Sequence, residues 1–316
     1  MSTLTITIIQ PDLRWEDKAA NLRLLEEKVR GIAEPTELVI LPEMFSTGFS
    51  MQPQALAEKM DGATIDWMKK VAAQKRIILT GSIIIEEGGN YFNRLIWMLP
   101  TGQYGYYDKR HRFAFAGENE QYTAGHRRLI ASVKGWKINL QVCYDLRFPV
   151  WSRQASPLPP TPPDSPAAQP PDRPTAPASS DPSISRTEGS SGSTPSVAAP
   201  HPSDRPTAPS PPGLEYDVLI YVANWPERRS HAWKTLLQAR AIENQSYVVG
   251  VNRVGNDGNN IYHSGDSLIV DPLGEVLYHA PKEEAVFTYT LQRDKLEEIR
   301  QRFPFWRDAD HFSIHP

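Results

Sequence analysis

The sequence predicts an α/β fold, a layered sandwich of mixed sheets covered by helices, and three observations carry that expectation. Apolar, strand-like runs alternate with amphipathic helical stretches along most of the chain. Hairpin-like strand pairs sit around Pro100 and Pro272, which argues against a purely parallel sheet. No G-x-G-x-x-G or Walker-type loop is present to support a nucleotide-binding fold.

The elements follow in order. A strand is expected over residues 4–9, and an amphipathic helix over 16–33, with Leu22, Leu25, Val29 and Ile32 at helical spacing. A buried strand over 38–41 ends on Pro42, and a second helix spans 63–75. Strands over 77–85, 91–98 and 102–108 come next, the last after a Pro-Thr-Gly turn. A short strand over 136–142 runs directly into Cys143. Further on, strands over 218–222 and 247–252 flank a helix over 232–244. Strands over 267–270 and 275–279 pair around Asp-Pro-Leu-Gly, a last strand spans 285–291, and a helix over 294–301 closes the fold.

One stretch breaks the pattern. Of the 29 prolines, 18 fall between Pro157 and Pro212, amid Ser, Thr, Ala and Asp. So few large apolar residues cannot offset the entropy of ordering the chain. The hexapeptide Asp-Arg-Pro-Thr-Ala-Pro occurs at both Asp172 and Asp204, which marks low-complexity expansion rather than a folded repeat. Residues 154–213 therefore read as a disordered, polyproline-rich insertion. Residues 1–153 and 214–316, about 255 in all, form one domain of ordinary α/β size.

Bulk properties narrow the function. A formal net charge of -3 excludes a strongly basic nucleic-acid binder. The opening MSTLTITIIQ has no basic region or small-residue cleavage site, and no apolar run approaches the roughly 20 residues that cross a bilayer. A single cysteine rules out an internal disulfide and fits a reducing cytoplasm. No His, Cys and Asp cluster has metal-ligand spacing, and neither a metal nor a cofactor is implied.

Three reactive residues stand just beyond buried strands: Glu43, Lys109 and Cys143. Ligand sites in open α/β sheets gather at such strand ends. A thiol with an ordinary pKa near 8.5 needs a base, and a carboxylate supplies one. A lysine ammonium stabilises first the thiolate and then the oxyanion of a tetrahedral intermediate. Each residue also has a plainer explanation. Cys143 suits a small core position, Glu43 a turn carboxylate, and Lys109 the solvated charge run Asp108-Lys109-Arg110-His111-Arg112. His111 has no Cys-His pattern around it and reads as a turn or wall residue, while Arg240 and Glu243 read as packing and a dimer contact.

Three blocks carry a resemblance: Leu-Pro-Glu-Met-Phe (Leu41 to Phe45), Tyr-Asp-Lys-Arg-His (Tyr107 to His111) and Cys-Tyr-Asp-Leu-Arg-Phe-Pro (Cys143 to Pro149). In order and spacing they resemble the signature blocks of the nitrilase superfamily, over essentially the whole chain outside the insertion. The resemblance implies a four-layer α-β-β-α sandwich, a homodimer, and a catalytic triad of Glu43 as base, Lys109, and Cys143 as nucleophile. It also implies a second, substrate-positioning glutamate shortly after the lysine. Glu118 fits that spacing better than Glu120, and the plainer alternative for either is an exposed loop carboxylate.

The stretch Tyr221 to Pro226, the arginines around Arg228, and Phe45 to Phe49 resemble the omega-amidase group. That likeness implies hydrolysis of the distal amide of a small 2-oxo dicarboxylic monoamide such as 2-oxoglutaramate. The implied substrate is a small anionic amide, and Arg147 is the first candidate to hold its carboxylate, against a structural salt bridge. A backbone N–H near Tyr144 is expected in the oxyanion site, and Trp225 either lines the pocket or packs in the interior. Nitrile or carbamoyl-amide hydrolysis remains open within the family. A scaffold using the P-x-x-P spacings at Pro157, Pro174 and Pro206 is the rival from another class.

Overall fold

The computed structural model describes residues 2–154, 214–310, 312 and 314. Residues 155–213, and with them the expected disordered insertion and its P-x-x-P spacings, lie outside the described residues.

The strands are β1 (Thr3–Gln10), β2 (Leu38–Ile40), β3 (Ile78–Glu87), β4 (Asn90–Met98) and β5 (Tyr104–Asp108), then β6 (Leu129–Val133) and β7 (Trp136–Val142). After the undescribed stretch come β8 (Val218–Val222), β9 (Tyr247–Val251), β10 (Val254–Asn256), β11 (Tyr262–Val270), β12 (Val276–Pro281) and β13 (Ala285–Gln292). The helices are α1 (Lys18–Arg30), α2 (Pro53–Leu56), α3 (Ala63–Lys75), α4 (Glu118–Gln121), α5 (Pro149–Ser152), α6 (Ser230–Asn244) and α7 (Arg293–Arg302).

Among the described residues the strands form two sheets. The first runs β13-β1-β2-β3-β4-β5, parallel across β1, β2 and β3 and antiparallel elsewhere. The second runs β10-β11-β9-β8-β7-β6, parallel across β7, β8 and β9, with β12 on the side of β11. Strand alternation decides what each face covers. Leu38, Ile40, Leu95 and Trp97 join Ile138, Leu140 and Ile220 in a core between the sheets. Val39, Leu79, Ile96 and Met98 point the other way, onto Leu25 and Val29 of α1 and Ile65 and Met68 of α3. Trp233 and Leu237 of α6 press on the second sheet at Gly250. The result is the expected α-β-β-α order of layers.

Local chemistry explains the boundaries. The helix expected from residue 16 starts at Lys18, because Glu16 holds a φ of 57° and Asp17 caps the first turn through Oδ1 to Ala20 N. Gly88 and Gly89 both have positive φ and close the β3–β4 hairpin tightly. Two strands were missing from the sequence expectation. β6 is a half-buried edge strand joined to β7 through Lys134 and Gly135, both at positive φ. β10 is three residues long, paired along its length with β11 and bridged at Val254 to Asp12.

The folded domain also extends one residue past its expected edge at 153. Gln154 is buried, with its Nε2 donating to Asn244 O and its Oε1 accepting from Tyr216 N at 3.2 Å. The two ends flanking the undescribed stretch are therefore tied to each other, the arrangement in which a long insertion costs a fold least.

Gly125 accounts for the approach of the 124–128 loop to β5. Its N–H donates to Lys109 O at 3.0 Å, and a Cβ there would stand 2.0 Å from the Asp108 carbonyl oxygen. Backbone cannot yield as a flexible side chain does. Gly125→Ala is expected to destabilise the domain by about 2 kcal/mol or more, read as a lowered urea midpoint with an unchanged slope.

Candidate active site

The ends of β2, β5, β7 and β8 converge, and with them the sequence-predicted residues. Glu43 follows β2 by three residues, on a turn that β3 anchors through Ser82 Oγ to Met44 N and Ser82 O to Phe45 N. Lys109 follows β5 directly, with its N–H on Asn93 O of β4. Cys143 follows β7 at φ 46°, a left-handed conformation that a non-glycine residue adopts at about 1–2 kcal/mol. That kink turns the chain out of the strand into a short 3-10 helix over Cys143–Arg147.

Lys109 is the hub of the site. Its Nζ donates to Glu43 Oε1 at 2.9 Å and to Glu118 Oε1 and Oε2 at 2.9 and 2.8 Å. Lysine and both glutamates are 0–1% exposed. The charge-run explanation of Lys109 therefore fails: it is buried, whereas Asp108, Arg110, His111 and Arg112 are half-buried. Burial works to depress the Lys109 pKa, but the Glu118 and Glu43 carboxylates outweigh it and the ammonium is held firmly.

Of the two glutamates weighed for the second position, Glu118 enters the site and Glu120 is exposed. Gly117, at φ 77°, turns the chain so that α4 presents Glu118 inward, where Phe113 N also donates to its Oε2. Burial raises the Glu118 pKa, Lys109 lowers it and Glu43 raises it, with an upward net result. The Cys143 thiol is pushed well up by burial and then by Glu43, with Lys109 opposing. These influences favour the thiol over the thiolate.

Several residues that sequence reasoning missed complete the site. Asn93 Nδ2 donates to Glu43 Oε1 at 2.8 Å and to Glu118 Oε1 at 3.3 Å. Asn224, two residues past β8, donates its backbone N–H to Glu43 Oε2 at 2.8 Å and its side-chain amide to Glu43 O. Asp145 is fully buried and accepts four hydrogen bonds: from Val142 N (3.0 Å), Tyr107 OH (2.7 Å), His111 N (3.0 Å) and His111 Nδ1 (2.8 Å). His111 is stacked on Phe148 at 3.9 Å and is not among the residues that line the Cys143 cavity. Asp145 stands two residues after the cysteine and Tyr107 two before the lysine, so their bond ties the two strand ends together across the sheets.

Cys143 opens into a cavity of about 240 Å³ walled by Phe49, Phe113, Tyr144 and Trp225. Phe49 lies 5.1 Å from Lys109 Nζ and screens it from solvent. Arg147, Arg228 and Arg229 also line the cavity. Among the described residues Arg147 has no salt bridge of the kind offered as its plainer explanation, and it stacks over Trp225 at 5.2 Å. Arg229 stacks on Phe113 at 5.0 Å. None of the three arginines forms an ion pair with a described residue. The one carboxylate in the lining, Asp257, accepts from Asn259 N and Ile261 N of its own loop. Trp225 satisfies both expectations, being buried and lining the cavity. Arg240 packs inward on Leu146 O at 2.6 Å and pairs with Glu243 at 3.1 Å.

The arrangement has the parts for acyl transfer at sulfur: a thiol, an adjacent carboxylate, a fixed ammonium, and a cationic cavity beside them.

Comparison with known proteins gives a consistent result. The carbon-nitrogen hydrolase pattern matches residues 5–157 and 214–301, leaving out 158–213. The chain is 35% identical to omega-amidase YafV of Escherichia coli (strain K12), over 99% of this chain and 100% of that protein. It is 25% identical to 2-oxoglutaramate amidase of Bacillus subtilis (strain 168), with 96% of each covered. Among solved structures, XC1258 of Xanthomonas campestris is a CN-hydrolase superfamily protein with an arsenic adduct in its active site. It aligns over 100% of both chains at 38% identity with a TM-score of 0.80.

Asp145→Asn replaces two acceptor oxygens by one and sets an NH2 group against existing donors. It is expected to destabilise the domain by about 1–3 kcal/mol and to slow alkylation of Cys143, measured by thermal unfolding and by iodoacetamide labelling.

Proposed function

The chain belongs to the carbon-nitrogen hydrolase family and is an amidase, and from that premise we propose that it hydrolyses the distal amide of small 2-oxo dicarboxylic monoamides, 2-oxoglutaramate among them, with release of ammonia. One observation carries the substrate class: three arginines without ionic partners among the described residues line the cavity that opens on Cys143. Guanidinium groups facing a cavity favour an anion with forked oxygens. The likeness to an omega-amidase and a 2-oxoglutaramate amidase supports the same class.

The proposed mechanism uses the residues in four steps. Glu43 takes the Cys143 proton as sulfur attacks the amide carbonyl, so the thiolate exists only alongside the substrate. Lys109 Nζ and the Tyr144 backbone N–H hold the oxyanion of the tetrahedral intermediate. The protonated Glu43 returns its proton to the leaving nitrogen, giving ammonia and a thioester on Cys143. Water, deprotonated by Glu43, then attacks the thioester, releases the carboxylic acid and restores the thiol. Glu118 fixes Lys109 and, through it, the place of the oxyanion. Arg147 holds the carboxylate at the 2-oxo end of the substrate, away from the amide, while it stacks on Trp225. We also propose that residues 1–153 and 214–316 are one catalytic domain, acting as a homodimer in the cytoplasm, where a lone thiol stays reduced.

Cys143→Ala is expected to lose all turnover of 2-oxoglutaramate while unfolding at the wild-type temperature. Ammonia release by this variant at a wild-type rate would falsify the thioester route. Arg147→Ala is expected to raise KM for 2-oxoglutaramate by about 10- to 100-fold, the worth of a charge-assisted hydrogen bond. Its kcat should change little, and its kcat/KM for a neutral primary amide of equal length should not fall. Equal losses on both amides, or faster wild-type turnover of a nitrile or an N-carbamoyl amino acid, would point to another substrate.

A further inference from the structure

Asn93 lies in β4, between the two carboxylates that grip Lys109. Its Nδ2 carries two protons, one directed to Glu43 Oε1 at 2.8 Å and one to Glu118 Oε1 at 3.3 Å. Among the described residues it and Lys109 are the groups whose hydrogen bonds reach both carboxylates. The amide has one sensible orientation, since turning it over would set Oδ1 against two carboxylate oxygens. In this orientation Oδ1 is buried without a hydrogen-bond partner. An unpartnered buried acceptor is unfavourable by about 1–3 kcal/mol, so stability alone does not account for an asparagine here.

We infer that Asn93 is a positioning residue that aligns the Glu43 and Glu118 carboxylates on Lys109, with Glu43 turned to take the thiol proton. The inference rests on the reading of Glu43 as the base toward Cys143. A donor on a carboxylate favours its charged form. Glu43 already shares its cavity with the negative Glu118, so the Asn93 proton offsets part of that repulsion. The other titratable or charged groups facing the pair are Lys109 beyond β5, Glu118 in α4, Tyr122 at the end of α4, Cys143 beyond β7 and Arg229 beyond β8. None of these groups is itself deleted when the Asn93 side chain is removed. The backbone bond from Lys109 N to Asn93 O survives as well, so a substitution isolates the side-chain amide.

Removing the donor makes Glu43 hold its proton more tightly, and the base must be deprotonated to work. The acid limb of reactivity therefore moves to higher pH. The test is the pH dependence of Cys143 alkylation by iodoacetamide, which needs no amide substrate, in wild type, Asn93→Ala, Asn93→Ser and Glu43→Gln. Asn93→Ala is expected to shift the acid limb up by about one pH unit, lowering the rate about tenfold on that limb and little on the plateau. Asn93→Ser, which keeps a shorter donor, should shift it less in the same direction, and it decides the matter if Asn93→Ala does not fold. A profile that superimposes on wild type after scaling, or one shifted to lower pH, overturns the inference. Loss of the limb in Glu43→Gln alone would leave Glu43 as base and remove Asn93. Retention of the limb in Glu43→Gln would remove the base reading itself.

Discussion

A lysine charge with almost no exposure to water is the constraint around which the rest of this structure is arranged. An isolated buried ammonium is untenable, and here the remedy is two carboxylates within 2.9 Å. Glu43, Lys109 and Glu118 come from the end of β2, the end of β5 and the short α4, so satisfying one charge fixes three segments of chain. The same cluster has one more carboxylate than ammonium. Burial, and then the Glu43 carboxylate, favour the proton on the Cys143 sulfur. A resting thiol with a base at hand is less open to stray oxidation than a standing thiolate.

The nucleophile and the lysine belong to different sheets, and a sandwich by itself holds them only to within the slack of its packing. Asp145 removes that slack. It bonds its own strand end through Val142 N and the other sheet through Tyr107 and His111. Trp151 Nε1 in turn donates to Tyr107 OH at 2.9 Å. Placement to a few tenths of an ångström is what a reacting sulfur requires, and this network supplies it at the point where the backbone of Cys143 is strained. The αL conformation and the bonds that hold it belong together, since strain persists only where surrounding structure over-determines it.

The cavity beyond the thiol has a different character. Its aromatic walls exclude water, and its three arginines leave their charge unanswered by any described carboxylate. Proteins seldom gather like charges about a small cavity without a ligand to neutralise them. The stacking of Arg147 on Trp225 and of Arg229 on Phe113 holds the guanidinium planes without using their donors. That leaves the donors available, and the proposed anionic substrate rests on this availability.

Much of this was legible in the residues. Periodicity located most strands and helices, and it failed at β6 and β10, one a half-buried edge strand and the other three residues long, where alternation carries little signal. The three short blocks marked Glu43, Lys109 and Cys143, and spacing favoured Glu118 over Glu120. Asn93 and Asp145 were not singled out. Asn93 looks like any strand residue, and Asp145 like any turn carboxylate, until their partners 25 to 50 and 34 to 38 residues away are known. Sequence alone thus determined most of the elements and which reactive side chains stand at their ends, because both follow from local preference and residue type. Only the tertiary structure decided that the lysine is buried, that one asparagine bridges two carboxylates, and that three arginines share one cavity. Those facts depend on strand register and on distances between segments far apart in the chain, which no local pattern encodes.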